Sequence, residues 1–144
     1  MFDFAFAARF KEDPDGGFLV TFPDVPEAIT GGDSMAEARA NAIEALGLAL
    51  RGVLAMGRPL PRPSVSGQNL EVVAVAPETA LKLAVVEAFR ASGISKSEFA
   101  RRLGKADTEA RRILDPDHPT KLATLEAALK LFGKQVFVTV RDAA

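Results

Sequence analysis

Phenylalanine recurs at alternate positions at the start of this chain. Phe2, Phe4, Phe6, Ala8 and Phe10 face one way, and Asp3, Ala5, Ala7, Arg9 and Lys11 face the other. Successive side chains of a strand point to opposite sides, so a period of two with aromatics on one side predicts a strand with one buried face. Asp13-Pro14-Asp15-Gly16-Gly17 follows. Proline fixes φ and glycine accepts positive φ, which makes this a turn. Phe18, Val20 and Phe22 then alternate again. The chain is thus committed at its start to a β-hairpin that must cover one face with something else.

The next elements supply that cover. Pro23 and Pro26 stop the second strand, and Ala28-Ile29-Thr30 suggests a short third one. Gly31-Gly32-Asp33 leads into a helix, and Ser34 with Glu37 has the spacing of a capping box. Ile43, Leu46, Leu50, Val53 and Leu54 form an apolar stripe through about residue 56. Gly57 ends the helix, and Pro59, Pro61 and Pro63 forbid another directly after it. Leu70–Val75 reads as a strand returning to the sheet. The order ββ(β)αβ describes a small α+β layer, one helix across a three- or four-stranded sheet. A core of about 75 residues is marginal, so dimerisation would help to stabilise it.

Beyond residue 76 the period changes to that of helices. Pro77 suits the first helical position, Leu81, Val85 and Phe89 are spaced i, i+4, i+8, and Ser92-Gly93 closes the segment. Residues 94–114, ISKSEFARRLGKADTEARRIL, then predict two short helices around a tight turn. Ile94, Phe99, Ala100 and Leu103 form one apolar face, and Gly104 stands where a left-handed residue is wanted. Ala110, Ile113 and Leu114 face inward, with Thr108, Arg111 and Arg112 outward. This is the pattern of a helix-turn-helix, which lays its second helix in the major groove of DNA. A rigid loop, Asp115-Pro116-Asp117-His118-Pro119, precedes a last helix with the stripe Leu122, Leu125, Leu129 and Phe132, ended by Gly133. Val136, Val138 and Val140 alternate as a C-terminal strand. A lone strand is not stable, so it pairs either within the domain or with the same strand of a second subunit. The reading is an α+β chain of two units, residues 1–76 and 77–144.

Composition narrows the function classes. The chain has 144 residues, no cysteine and one histidine, His118, which argues against disulfides and thiolate or zinc sites. No cofactor is expected. No apolar run approaches the roughly 18 residues of a membrane span, and the N-terminus lacks the basic region of a secretory signal, so a cytoplasmic protein without membrane contact is expected. Residues 1–75 carry 6 Lys and Arg against 10 Asp and Glu, a net of −4; residues 76–144 carry 12 against 9, a net of +3. A basic rear half suits phosphates, and an acidic front half suits a basic partner.

Together the two halves resemble the HicB antitoxins. The resemblance rests on Phe22-Pro23-Asp24 at a strand end and on Gly32-Asp33-Ser34-Met35-Ala36-Glu37-Ala38 opening the long helix. The rear half resembles the helix-turn-helix domain of one HicB subgroup. The resemblance implies a partial RNase H-like N-terminal fold and a role in masking HicA, a small basic mRNA-cleaving toxin. It also implies operator binding through the C-terminal domain, repression of the operon, and assembly as a homodimer or dimer of dimers.

The residues permit more specific expectations. A metal-dependent nuclease needs several converging carboxylates. Asp3, Asp24, Glu27 and Asp33 read instead as solvated or capping groups, and no catalysis is expected. On the recognition helix, from about Asp107 to Leu114, the N-cap falls on Ala106, or on Asp107 one position later. Arg111 is the choice for a bidentate contact to guanine, Thr108 for a thymine methyl or a phosphate, and Asp107 either accepts from cytosine N4 or serves only as a cap. Ser95, Lys96 and Ser97 open the first helix of the motif where phosphates are held, and Lys105, Arg112 and Lys121 are phosphate candidates. Toxin-facing candidates are Glu12, Asp13 and Asp15 at the hairpin tip and Asp24 and Glu27 on the proline-rich loop. The competing readings are a stand-alone helix-turn-helix regulator with a ligand-sensing N-terminal domain, and a residual nuclease.

Overall fold

A computed structural model describes residues 3–143. Its order is β1 (Ala5–Glu12), β2 (Phe18–Thr21), β3 (Ile29–Gly32), α1 (Met35–Ala55), β4 (Glu71–Ala74), α2 (Pro77–Ser92), α3 (Lys96–Leu103), α4 (Asp107–Ile113) and α5 (Leu122–Leu131). An antiparallel four-stranded sheet with one helix precedes a helical rear half, so the chain is α+β. Phe2, the first member of the alternating series, lies outside the described residues.

The hairpin register pairs Glu12 with Phe18 and Arg9 with Thr21. The sheet order is β3-β2-β1-β4. Phe6, Ala8 and Val20 are fully buried on one face, as the alternation requires, and α1 covers them with Ala38, Ala42, Leu46 and Leu50. The Ser34 hydroxyl caps α1 by accepting the Glu37 N–H at 3.1 Å. The helix must start very close to the sheet. A Cβ on Gly32 would stand 2.5 Å from the Ala38 nitrogen, which only glycine avoids.

Two details of the predicted stripes differ. Ile43 is 40% exposed and Leu122 57% exposed. Leu46, Leu50, Val53 and Leu54 of the α1 stripe are buried as expected, and the i, i+4 series Ala38, Ala42, Leu46, Leu50 and Leu54 leaves Ile43 on its margin. In α5 the buried residues are Leu125, Ala128 and Leu129, while Leu122 stands at the first helical position, before the helix has packed.

A second core gathers Val85, Phe99, Ala100, Ala110, Ile113, Leu125, Ala128 and Leu129. Phe99 lies edge-on to Phe89 with centroids 5.5 Å apart and stacks on Phe132 at 5.6 Å. α2 belongs to both cores: Leu83 and Val86 enter the first and Val85 the second. Further ties join the halves. The Arg90 guanidinium donates to the Leu54 carbonyl, and Arg51 on α1 stands 3.7 Å from Asp117 in the 115–120 loop.

The predicted C-terminal strand is not formed within the chain. Among the described residues the segment after Gly133 pairs with no strand, and Phe137, Val138 and Val140 are 78%, 83% and 91% exposed. A strand needs a neighbour for its backbone groups, and all four strands of the sheet belong to the front half. Val136 alone packs against the second core.

Candidate nucleic-acid interface and partner surface

α3 begins at Ser95, whose hydroxyl accepts the Glu98 N–H at 3.1 Å. Lys96 and Ser97 are exposed in its first turn. Glu98 then takes both following arginines: Arg101 reaches it at 2.8 and 2.5 Å and Arg102 at 2.8 Å. The hydrogen bonds from Arg101, and next from Arg102, hold the Glu98 carboxyl down at about 2. Gly104, at φ 71°, turns the chain into α4.

Ala106 is the N-cap of α4 and has no side-chain capping bond; Asp107 is the first helical residue. This settles the register left open by the sequence. Ala110 and Ile113 are buried against the second core, as their spacing predicts. Asp107, Thr108, Arg111 and Arg112 are exposed. Thr108, Arg111 and Arg112 are related by i, i+3 and i, i+4 and share one helix face. Among the described residues, neither Arg111 nor Arg112 has a side-chain hydrogen bond or ion pair. Lys105 differs, standing 3.5 Å from Glu109. Lys121 is exposed at the N-cap of α5, beyond the loop that follows α4.

Sequence reasoning missed Lys82. It is 4% exposed, and its ammonium donates to the Arg112 carbonyl at 3.1 Å, the Ile113 carbonyl at 2.8 Å and the Thr120 hydroxyl at 2.5 Å. Burial pushes the ammonium down to about 8, against a smaller opposite effect of Asp115. The signal was present: Lys82 is spaced i, i+3 and i, i+7 from Val85 and Phe89, on the apolar side of α2. Arg101 and Arg102 were also passed over, although Glu98 precedes them at ion-pairing spacing.

The acidic candidates fall into two groups. Glu12, Asp13 and Asp15 are exposed at the hairpin tip, where Asp13 accepts the Asp15 N–H at 2.9 Å. Asp24 and Glu27 follow the other end of β2. Their carboxylates are engaged within the chain. Asp24 accepts the N–H groups of Ser64 and Val65 at 2.7 and 3.0 Å and the Ser64 hydroxyl at 2.5 Å. The Ser64 bonds, led by its hydroxyl, hold the Asp24 carboxyl below its usual range. Glu27 meets Arg58 at 3.1 Å. These contacts fasten the proline-rich segment to the sheet layer.

The carboxylates considered for metal chemistry are dispersed. Asp3 and Asp33 are exposed, and Asp24 and Glu27 are held as above. Among the described residues no group of three or more His, Cys, Asp or Glu is placed to hold a metal ion. His118 is an exposed loop residue. No helix among the described residues is long and apolar enough to cross a membrane.

Residues 5–84, the sheet layer with the first half of α2, match the profile of the HicB-like antitoxin of bacterial toxin–antitoxin systems. Antitoxin HicB of Escherichia coli strain K12 is 35% identical over 85% of this chain and 89% of its own. Antitoxin HicB 2 of Photorhabdus laumondii is 36% identical over 91% of this chain and 92% of its own. Antitoxin HicB of Pseudomonas fluorescens strain Pf0-1 is 31% identical over 97% of this chain and 96% of its own.

Proposed function

The chain belongs to the HicB antitoxin family, and from that premise we propose that it neutralises a HicA-like toxin and represses its own operon. It is an antitoxin of a toxin–antitoxin pair. The rest of this reading divides the work between residues 1–76, which bind the toxin, and residues 77–144, which bind double-stranded operator DNA. The protein acts as a cytoplasmic regulator and not as an enzyme.

One observation carries the DNA assignment. α4 offers two arginines, unpaired among the described residues, and a threonine on one exposed face, although neighbouring Arg101, Arg102 and Lys105 all pair with glutamates. Guanidinium groups left free on a short exposed helix suit guanine edges and phosphates. Arg111 reads a base, with Thr108 and Asp107 beside it. Ser95, Lys96, Ser97, Lys105, Arg112 and Lys121 hold the backbone. The exposed Phe137, Val138 and Val140 support pairing with a second copy, giving a homodimer that assembles further into a dimer of dimers.

The toxin contact draws on the acidic front half. Glu12, Asp13 and Asp15 have no side-chain ion pair among the described residues and suit a basic partner. Asp24 and Glu27, at the other end of β2, are the second acidic group assigned to this contact. Titration of a duplex from the DNA upstream of the gene tests the operator reading. Arg111→Ala should cost ~1–3 kcal/mol and relax preference at one base pair, whereas Lys96→Ala should weaken all sequences alike and lower the salt slope by about one. No change in either variant contradicts it.

A further inference from the structure

We propose that Lys82 is a positioning residue for DNA recognition: from inside α2 it sets how α4 presents Arg111 and Arg112 to a duplex. This rests on the operator-binding reading above.

Lys82 is the one charged side chain buried among the described residues. A buried ammonium is costly unless each of its protons finds an acceptor. Here all three do, and the three acceptors belong to two segments: the last turn of α4 and Thr120, which leads into α5. The final carbonyls of a helix lack intrahelical partners and carry partial negative charge, so a cation there is favourable. The Ile113 carbonyl meets Lys82 at 2.8 Å. The Arg112 carbonyl is held from within while its side chain points outward from the same residue.

The other end of α4 makes this grip more important. Ala106 provides no side-chain cap, and the helix has only seven residues. A helix that short is not stable in isolation, so its tilt and rotation come from its contacts. Ala110, Ile113 and Leu114 provide apolar packing, which resists withdrawal better than rotation. Lys82 adds directional bonds at the C-terminal end, which fix the angle at which Thr108, Arg111 and Arg112 leave the surface.

Charge gives the arrangement a property that packing alone lacks. Lys82 faces Arg51 of α1, Glu78 of its own helix, Asp115, Asp117 and His118 of the loop, and the backbone of Arg112. With the ammonium held down to about 8, it loses its proton just above neutral pH. A bound polyanion favours the protonated form, so DNA binding takes up a proton. Operator affinity should therefore fall as pH rises through about 8.

The test is a fluorescence titration of the upstream duplex from neutral to alkaline pH, with folding checked by circular dichroism. Lys82→Met should weaken binding roughly tenfold or more at neutral pH and remove the affinity loss near pH 8 that the parent protein shows. Thr120→Val, which removes one acceptor and keeps the lysine, should weaken binding roughly two- to tenfold. Folded Lys82→Met that binds like the parent overturns the proposal. So does weakened binding with an unchanged pH profile, which would mark a purely structural role. If Lys82→Met does not fold, Thr120→Val decides, and parental affinity there overturns the proposal. Arg111→Ala runs alongside: its loss of affinity upholds the operator reading whichever way Lys82 falls, and its parental affinity shows that reading itself to be wrong.

Discussion

Asp24, just beyond β2, and Arg111, in the middle of α4, are charged residues in the two halves of one molecule, and they are held in opposite ways. Asp24 accepts three hydrogen bonds from Ser64 and Val65, so its charge organises the proline-rich segment. Among the described residues Arg111 meets no acid, so its charge is available to another molecule. Glu27 and Arg58 repeat the first pattern and Arg112 the second. Exposure and charge alone do not separate a fastening residue from a binding one. An intramolecular partner marks a charge that also does structural work, and in this respect the hairpin tip resembles α4 more than it resembles the Asp24 loop.

The sharpest way to break this contrast is to ask whether the halves fold separately. Phe99→Ala removes the centre of the rear core and should cost ~3–5 kcal/mol. Because α2 supplies Leu83 and Val86 to one core and Val85 to the other, calorimetry should show one transition shifted as a whole. A rear half that melts first while the sheet layer keeps its midpoint contradicts a shared α2. Next in size is Gly32→Ala, which forces a Cβ to 2.5 Å from the Ala38 nitrogen and should cost ~1–3 kcal/mol by thermal unfolding. Its operator affinity should stay parental while the protein is folded.

Much of this architecture was legible because period and punctuation agreed. The alternation of Phe4, Phe6 and Ala8, the Ser34 cap and the left-handed Gly93 and Gly104 each have a local cause, and each appears where the residues predict it. The last strand was not legible in the same way. Val136, Val138 and Val140 carry the pattern, but pairing depends on a neighbour that no local pattern supplies. Among site residues, the outward set of α4 followed from the inward Ala110 and Ile113. The fastening roles of Asp24 and Lys82 did not, because their partners lie 40 and 30 or more residues away in sequence.

Smaller changes sharpen the comparison. Ala106→Ser should stabilise the uncapped α4 by ~0.5–2 kcal/mol, read as a rise in the unfolding midpoint, whereas α1 and α3 already have serine caps. Smallest in global effect is Asp24→Asn. Its carboxyl lies below the usual range when folded, so its stabilising contribution is present above the ordinary carboxylate pKa and is lost as pH falls through the folded value. Near neutral pH the variant should show faster amide exchange at Ser64 and Val65 and little change in the global midpoint. A large fall in midpoint would mean that the proline-rich segment supports the whole layer.

We propose that toxin neutralisation and DNA reading sit on different halves of one chain. The most direct measurement is growth of cells that express the neighbouring toxin gene together with this chain, either unaltered or carrying Arg111→Ala and Arg112→Ala. The account predicts that both forms restore growth and co-purify with the toxin, while only the unaltered form binds the upstream duplex. Failure of the unaltered chain to restore growth, or loss of rescue in the arginine variant with its fold intact, would contradict it.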